Sequence, residues 1–149
     1  GTLALPNTGM ATTIDIGEAK DIHPKNKQDA GARLAHWALA EFYGKADVIA
    51  TGPMYASHAV QGSTVIVKFK HAAGLQAKEA RVVNGFALAG ADKKFHWATA
   101  TVNAAGAVQV SCEAVKRPMA VRYGWGDNPN VNLVNKAGLP TTPFRTDKW

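Results

Sequence analysis

The spacing of hydrophobic positions changes once along the chain. Over residues 24–43, PKNKQDAGARLAHWALAEFY, the apolar side chains Ala30, Leu34, Trp37, Ala38 and Phe42 recur at helical spacing, and Leu39 widens the stripe. Pro24 suits the first turn of such a helix, because its missing N–H would have no partner there anyway. Gly44 follows as a stop, and Lys45 adds a cation near the negative end of the helix dipole. Ahead of the helix, Ala11 to Ile16 reads as a short strand, β-branched at Thr12, Thr13, Ile14 and Ile16 and broken by Gly17. Residues 45–51 read as a connector, and from Gly52 the period is two. Val65, Val67 and Phe69 face one way, and Phe86 and Leu88 mark a second strand. Phe95 to Val102 is a third, with either Phe95, Trp97 and Thr99 or His96, Ala98, Ala100 and Val102 turned inward. Val108 to Cys112 is a fourth, and Met119, Val121, Tyr123 and Trp125 define a fifth with Arg122 outward. Turn signals fall at Gln61-Gly62-Ser63, Gly90-Ala91-Asp92 and Ala105-Gly106. Short strands with regular turns predict an antiparallel β-sandwich.

This pattern divides the chain into residues 1–44, one strand and one helix of α/β character, and residues 45–149, an all-β domain. The helix stripe needs a sheet or other helices to pack on, yet one short strand is all that precedes it. The mismatch predicts that the rest of an α/β domain lies elsewhere, in another chain or outside these residues. It also predicts that Leu34, Trp37, Ala38 and Phe42 contact another polypeptide or stay partly exposed.

Composition narrows the function classes. With 46% hydrophobic and 19% charged residues the chain is globular in type, and no apolar run is long enough to span a membrane. Residues 1–11 lack the basic start and long apolar core of a signal peptide. The net charge of +6 is unevenly spread. Residues 1–44 hold four Lys/Arg against five Asp/Glu, and the remainder holds thirteen against six. The cations alternate with apolar residues, as at Lys68 and Lys70 around Phe69, which describes the wet face of a half-buried sheet. A nucleic-acid partner is not expected from that scatter. The single cysteine, Cys112, excludes an internal disulfide and sits on the Val108, Val110 face as a small hydrophobe. None of the five histidines, 23, 36, 58, 71 and 96, has a partner at metal-ligand spacing, so neither a metal nor an organic cofactor is expected.

Candidate chemistry concentrates in Asp21-Ile22-His23-Pro24. With a helix beginning near Pro24, His23 would sit at its positive end, which disfavours imidazolium and keeps the ring able to accept a proton. In an extended loop Asp21 and His23 project to the same side, where the carboxylate could fix the ring tautomer. An isolated Asp-x-His is a weak motif, and on spacing alone a capping or surface histidine is the commoner outcome.

The longer string DIGEAKDIHPKNKQDAGARLAHWAL resembles the last catalytic block of bacterial sialate O-acetylesterase-like proteins of the SGNH-hydrolase superfamily, and the similarity continues to the ending NLVNKAGLPTTPFRTDKW. The resemblance implies a serine esterase acting on O-acetyl esters of sialic acid or related carbohydrates, in a secreted or periplasmic setting. It implies that His23 is the general base and that a carboxylate orients it. The superfamily pattern places an Asp three residues before the histidine, where this chain has Lys20, so Asp21 and Asp15 remain alternatives. The blocks that supply the serine and the glycine and asparagine of the oxyanion hole have no counterpart in these residues. The resemblance further sets the β-sandwich beside the catalytic domain, with Trp125, Asp127 and Asn128 as substrate contacts. The tail from Gly126 reads mostly as loop. Its Asp127, Asn128, Asn130 and Asn132 could bond sugar hydroxyls or make Asx-turns.

Overall fold

The computed structural model describes residues 2–149, the side chain of Thr2 excepted. It is built mainly of antiparallel sheets with one short helix. The strands are β1 (Met54–Gln61), β2 (Thr64–Lys70), β3 (Gln76–Ala77), β4 (Phe86–Ala89), β5 (Phe95–Trp97), β6 (Thr99–Val102), β7 (Val108–Ser111), β8 (Ala120–Tyr123), β9 (Leu133–Val134) and β10 (Phe144–Arg145). They form one four-stranded sheet in the order β1-β2-β7-β6, a second in the order β10-β8-β4-β5, and a ribbon of β3 with β9.

The β1–β2 hairpin closes over Gly62 and Ser63, with Gly62 at φ +61 supplying the positive φ that tight hairpin turns favour. Val65 and Val67 are buried as the alternation predicts, and so are Phe86, Leu88, Val108, Val110, Val121 and Tyr123. These side chains come from both four-stranded sheets and join in one core. Its centre is aromatic. The Phe144 ring stacks on Tyr55 at 4.7 Å and Tyr123 packs on Phe86 at 4.8 Å. Full burial of such a side chain contributes about 1.5–3 kcal/mol, so this cluster is a main source of stability. Burial also pushes the Tyr123 phenol well above its usual pKa, keeping it neutral, and its Oη accepts the Leu133 N–H at 3.2 Å.

Several expected elements differ. Phe95 to Val102 is two strands, β5 in the second sheet and β6 in the first. The chain changes sheets at Ala98, whose N–H donates to Phe86 O at 3.0 Å. Of the two inward registers the first does not hold, since Trp97 is 76% exposed and Thr99 is exposed. The second holds from the corner onward, where Ala98 and Val102 are half-buried and Ala100 fully buried, while His96 on β5 is exposed. The tail is less loop-like than its composition suggests, for Leu133, Val134, Leu139 and Phe144 are all buried. Asn135, 1% exposed, anchors it: its Oδ1 accepts the Ala137 and Leu139 N–H groups, and its Nδ2 donates to Thr51 O and His71 O.

Residues 11–16 are not a strand, having no strand partner, and they end in a turn in which Ile16 N–H donates to Thr13 O at 3.2 Å. The α-helix α1 is Lys27–Trp37, shorter than the expected 24–43. Asn26 takes the cap by accepting the Asp29 N–H at 3.1 Å, so the helix begins after Pro24. Beyond Trp37 the backbone widens into a π turn over Ala38–Phe42, and Gly44 at φ +66 ends it. Among the described residues no helix is long and apolar enough to cross a membrane.

Candidate active site

His23 lies in the exposed loop between Gly17 and Asn26. A tight turn, marked by the antiparallel bridge between Glu18 and Asp21, carries the chain into it. Asp21 Oδ1 accepts the His23 backbone N–H at 2.8 Å. The two residues are therefore held together, but through the main chain and not through the imidazole. His23 stands three residues before the cap Asn26, beyond the first turn in which the helix dipole acts strongly, so the expected dipole contribution does not apply.

Asp15 is held differently. Arg33, projecting from α1, donates both guanidinium arms to its carboxylate at 2.6 and 2.8 Å and also bonds Thr12 O at 2.6 Å. This two-pronged pair fastens the segment before the loop to the helix. Two further contacts seat the segment. Gly9 lies so close against the Trp37 indole that a Cβ there would overlap the ring, and Ile14 packs onto Gly124. Neither carboxylate bonds the His23 ring. Asp21 keeps Oδ2 without a partner, whereas both oxygens of Asp15 are taken.

The apolar stripe of the helical segment is largely uncovered. Leu34 and Phe42 are exposed, as are Tyr43 and, next to the histidine, Ile22 at 89%. Among the described residues of α1 none is buried.

The expected substrate contacts lie on the loop after β8. Trp125 is half exposed, and Asp127, Asn128 and Asn130 follow it on the surface without side-chain partners. Asn132 does not belong with them: its Oδ1 accepts the Asn84 N–H and its Nδ2 donates to Val82 O, pinning the loop. The ridge Asn128-Pro129-Asn130 borders two grooves. One, of about 700 Å³, contains Asp15 and Arg33. The other, of about 500 Å³, contains Trp125, Asp127 and Trp97.

Sequence reasoning missed Trp97 and the Arg122–Asp147 pair. Arg122 donates to both Asp147 oxygens at 2.8 and 2.7 Å, and Arg145 approaches the same carboxylate at 3.5 Å. The guanidinium hydrogen bonds hold the Asp147 carboxyl below the usual range, although its burial acts the other way. Arg122 also covers the Phe95 ring at 3.7 Å, and Arg145 lies 5.4 Å from the Trp125 ring. The outward register of β5 was the available signal for Trp97. Nothing in the local sequence ties Asp147 to a residue 25 positions earlier.

No protein-family model matches the chain, and no curated protein matches it. Among solved structures it is similar to a carbohydrate acetylesterase from Xanthomonas citri, with 45% sequence identity, a TM-score of 0.93 and 99% of this chain covered. The chain spans 34% of that protein's own length, about a third of it.

Proposed function

We propose that this chain supplies the general base of a carbohydrate O-acetylesterase of the sialate O-acetylesterase-like, SGNH type. In this reading residues 1–44 are the C-terminal segment of the catalytic domain, residues 45–149 are a β-sandwich beside it, and the nucleophilic serine lies outside these 149 residues. The observation that carries the proposal is the similarity, at 45% identity over 99% of the chain, to a carbohydrate acetylesterase. The exposure of Leu34, Phe42 and Tyr43 along the helical segment, and of Ile22 in the loop before it, supports it, because a catalytic domain packed on this segment would give such side chains the apolar partner they lack.

The chemistry is acyl transfer. The serine oxygen attacks the acetyl carbonyl carbon while His23 takes the serine proton. The tetrahedral adduct then collapses, the C–O bond to the sugar breaks, and the proton passes from His23 to the departing sugar oxygen. Water, activated by the same imidazole, releases acetate and restores the serine. Asp21 is favoured over Asp15 as the orienter, since it is already tied to His23 and has a free oxygen, while Asp15 would have to abandon Arg33. The serine-bearing polypeptide provides the test. The 149-residue chain alone is expected to leave a chromogenic acetate ester intact, and mixing it with that polypeptide is expected to yield turnover that a serine-directed inhibitor abolishes. Inhibitor-sensitive turnover by the chain alone would refute the division of the site.

A further inference from the structure

We infer that the groove between Trp97 and Trp125 is a binding platform for a neutral oligosaccharide, separate from His23. The inference rests on the carbohydrate part of the function proposed above and not on the assignment of the base. Trp97 is 76% exposed and Trp125 50% exposed. Indole is among the largest apolar surfaces a protein has, and leaving two of them in water on one face is costly unless something covers them. The two line the same pair of adjoining cavities, of about 500 and 190 Å³. The larger falls in the size range of small-ligand sites lined by aromatic side chains with a few polar groups.

The floor between these walls is small. On β4, Ala87 stands opposite Trp97 on one side and Arg122 on the other, and Gly85 lines both cavities. The walls are held in place. Arg122 is fixed by its two bonds to Asp147 and lies over Phe95, and Arg145 is drawn to the same carboxylate beside Trp125. A platform ordered before binding loses less side-chain freedom when a ligand arrives. The rim carries Asp127, Asn128 and Asn130, whose side chains have no partner in the protein.

This combination matches a pyranose ring, which has an apolar C–H face to lie on an indole and a girdle of hydroxyls for amide and carboxylate groups. It matches a neutral sugar better than an acidic one. Both guanidinium groups near the groove are already engaged by Asp147, and the one ionisable group on its rim, Asp127, would repel a sugar carboxylate.

Intrinsic tryptophan fluorescence of the chain, titrated with cellohexaose, xylohexaose, mannohexaose and sialyllactose, tests this. Saturable binding of at least one neutral hexaose is expected, tighter than that of sialyllactose. Trp97→Ala and Trp125→Ala should each weaken it by about tenfold or more without lowering the melting temperature, since both side chains are exposed. Trp149→Ala is the control, because Trp149 lines neither cavity and packs near Lys93, and it should bind as the parent does. His23→Ala should also bind normally, which separates this site from the esterase reading. Failure of every neutral hexaose to bind at millimolar concentration, stronger binding of sialyllactose, or parental affinity in Trp97→Ala would overturn the inference while leaving the acetate-release test untouched.

Discussion

At the scale of single residues, two carboxylates show how placement decides what a charge does. Asp147 is buried at 6% exposure and takes two bonds from Arg122, so it ties β8 to the tail across 25 residues. Its carboxyl is held below the usual range by those bonds. The linkage follows: a depressed folded value stabilises the protein above the unfolded value near pH 4, and that stability is lost as pH falls through the folded value. Asp147→Asn is expected to cost about 2–3 kcal/mol in urea unfolding at neutral pH, because it leaves Arg122 without its anion. The variant should also lose less stability than the parent between neutral pH and the acid limb; parallel acid limbs would remove Asp147 from the linkage. Asp21, by contrast, is exposed and spends one oxygen on the His23 main chain. In the assembled enzyme Asp21→Asn is expected to lower turnover towards the loss of about 10⁴ that accompanies removal of an orienting carboxylate in the best-studied triad. Asp15→Asn should act chiefly through the loss of Arg33, and so on stability. If Asp21→Asn kept parental turnover, Asp21 would not be the orienter.

Among the elements, the ones legible in the sequence are those whose own side chains decide them. Val65 and Val67, Phe86 and Leu88, and Val108 and Val110 alternate because one face of each strand is in the core, and burial follows that alternation. Of the misread elements, the strand and the tail depend on distant partners and the helix start on a local cap. Residues 11–16 have β-branched composition but no strand to pair with, and Arg33 captures the Thr12 carbonyl. The helix start moved from Pro24 to Lys27 because Asn26 offers a side-chain acceptor, a stronger signal than proline. The tail reads as loop because Asn and Pro dominate it, yet Asn135 and Thr141 are as buried as the valines. The proposal of His23 as the base rests on the resemblance of its surrounding string, since no geometry within these residues singles out its ring. The attachment of α1 can be tested on its own. Arg33→Ala removes three hydrogen bonds to the segment ahead of the loop while touching nothing in the two sheets. Hydrogen exchange in α1 should accelerate, with protection in β2, β4 and β8 unchanged. Uniform loss of protection would show that the helix and the sheets unfold as one unit.

For the molecule as a whole, the distribution of apolar surface is uneven. The β-rich part closes its own core, with Phe144 of the second sheet packing on Tyr55 and Phe69 of the first. The helical part does not, and exposes Leu34, Phe42 and Tyr43, with Ile22 exposed next to the proposed base. On the proposal made above, the helical part is the edge of an α/β catalytic domain, and its chemistry is completed by a polypeptide bearing the serine. The most direct test is acetate release from an acetylated oligosaccharide by the assembled enzyme, comparing the parent with His23→Ala at matched melting temperature. The account predicts that removing the imidazole lowers turnover by about 10⁴ or more, as loss of the general base does elsewhere. Undiminished acetate release by a correctly folded His23→Ala enzyme would contradict it.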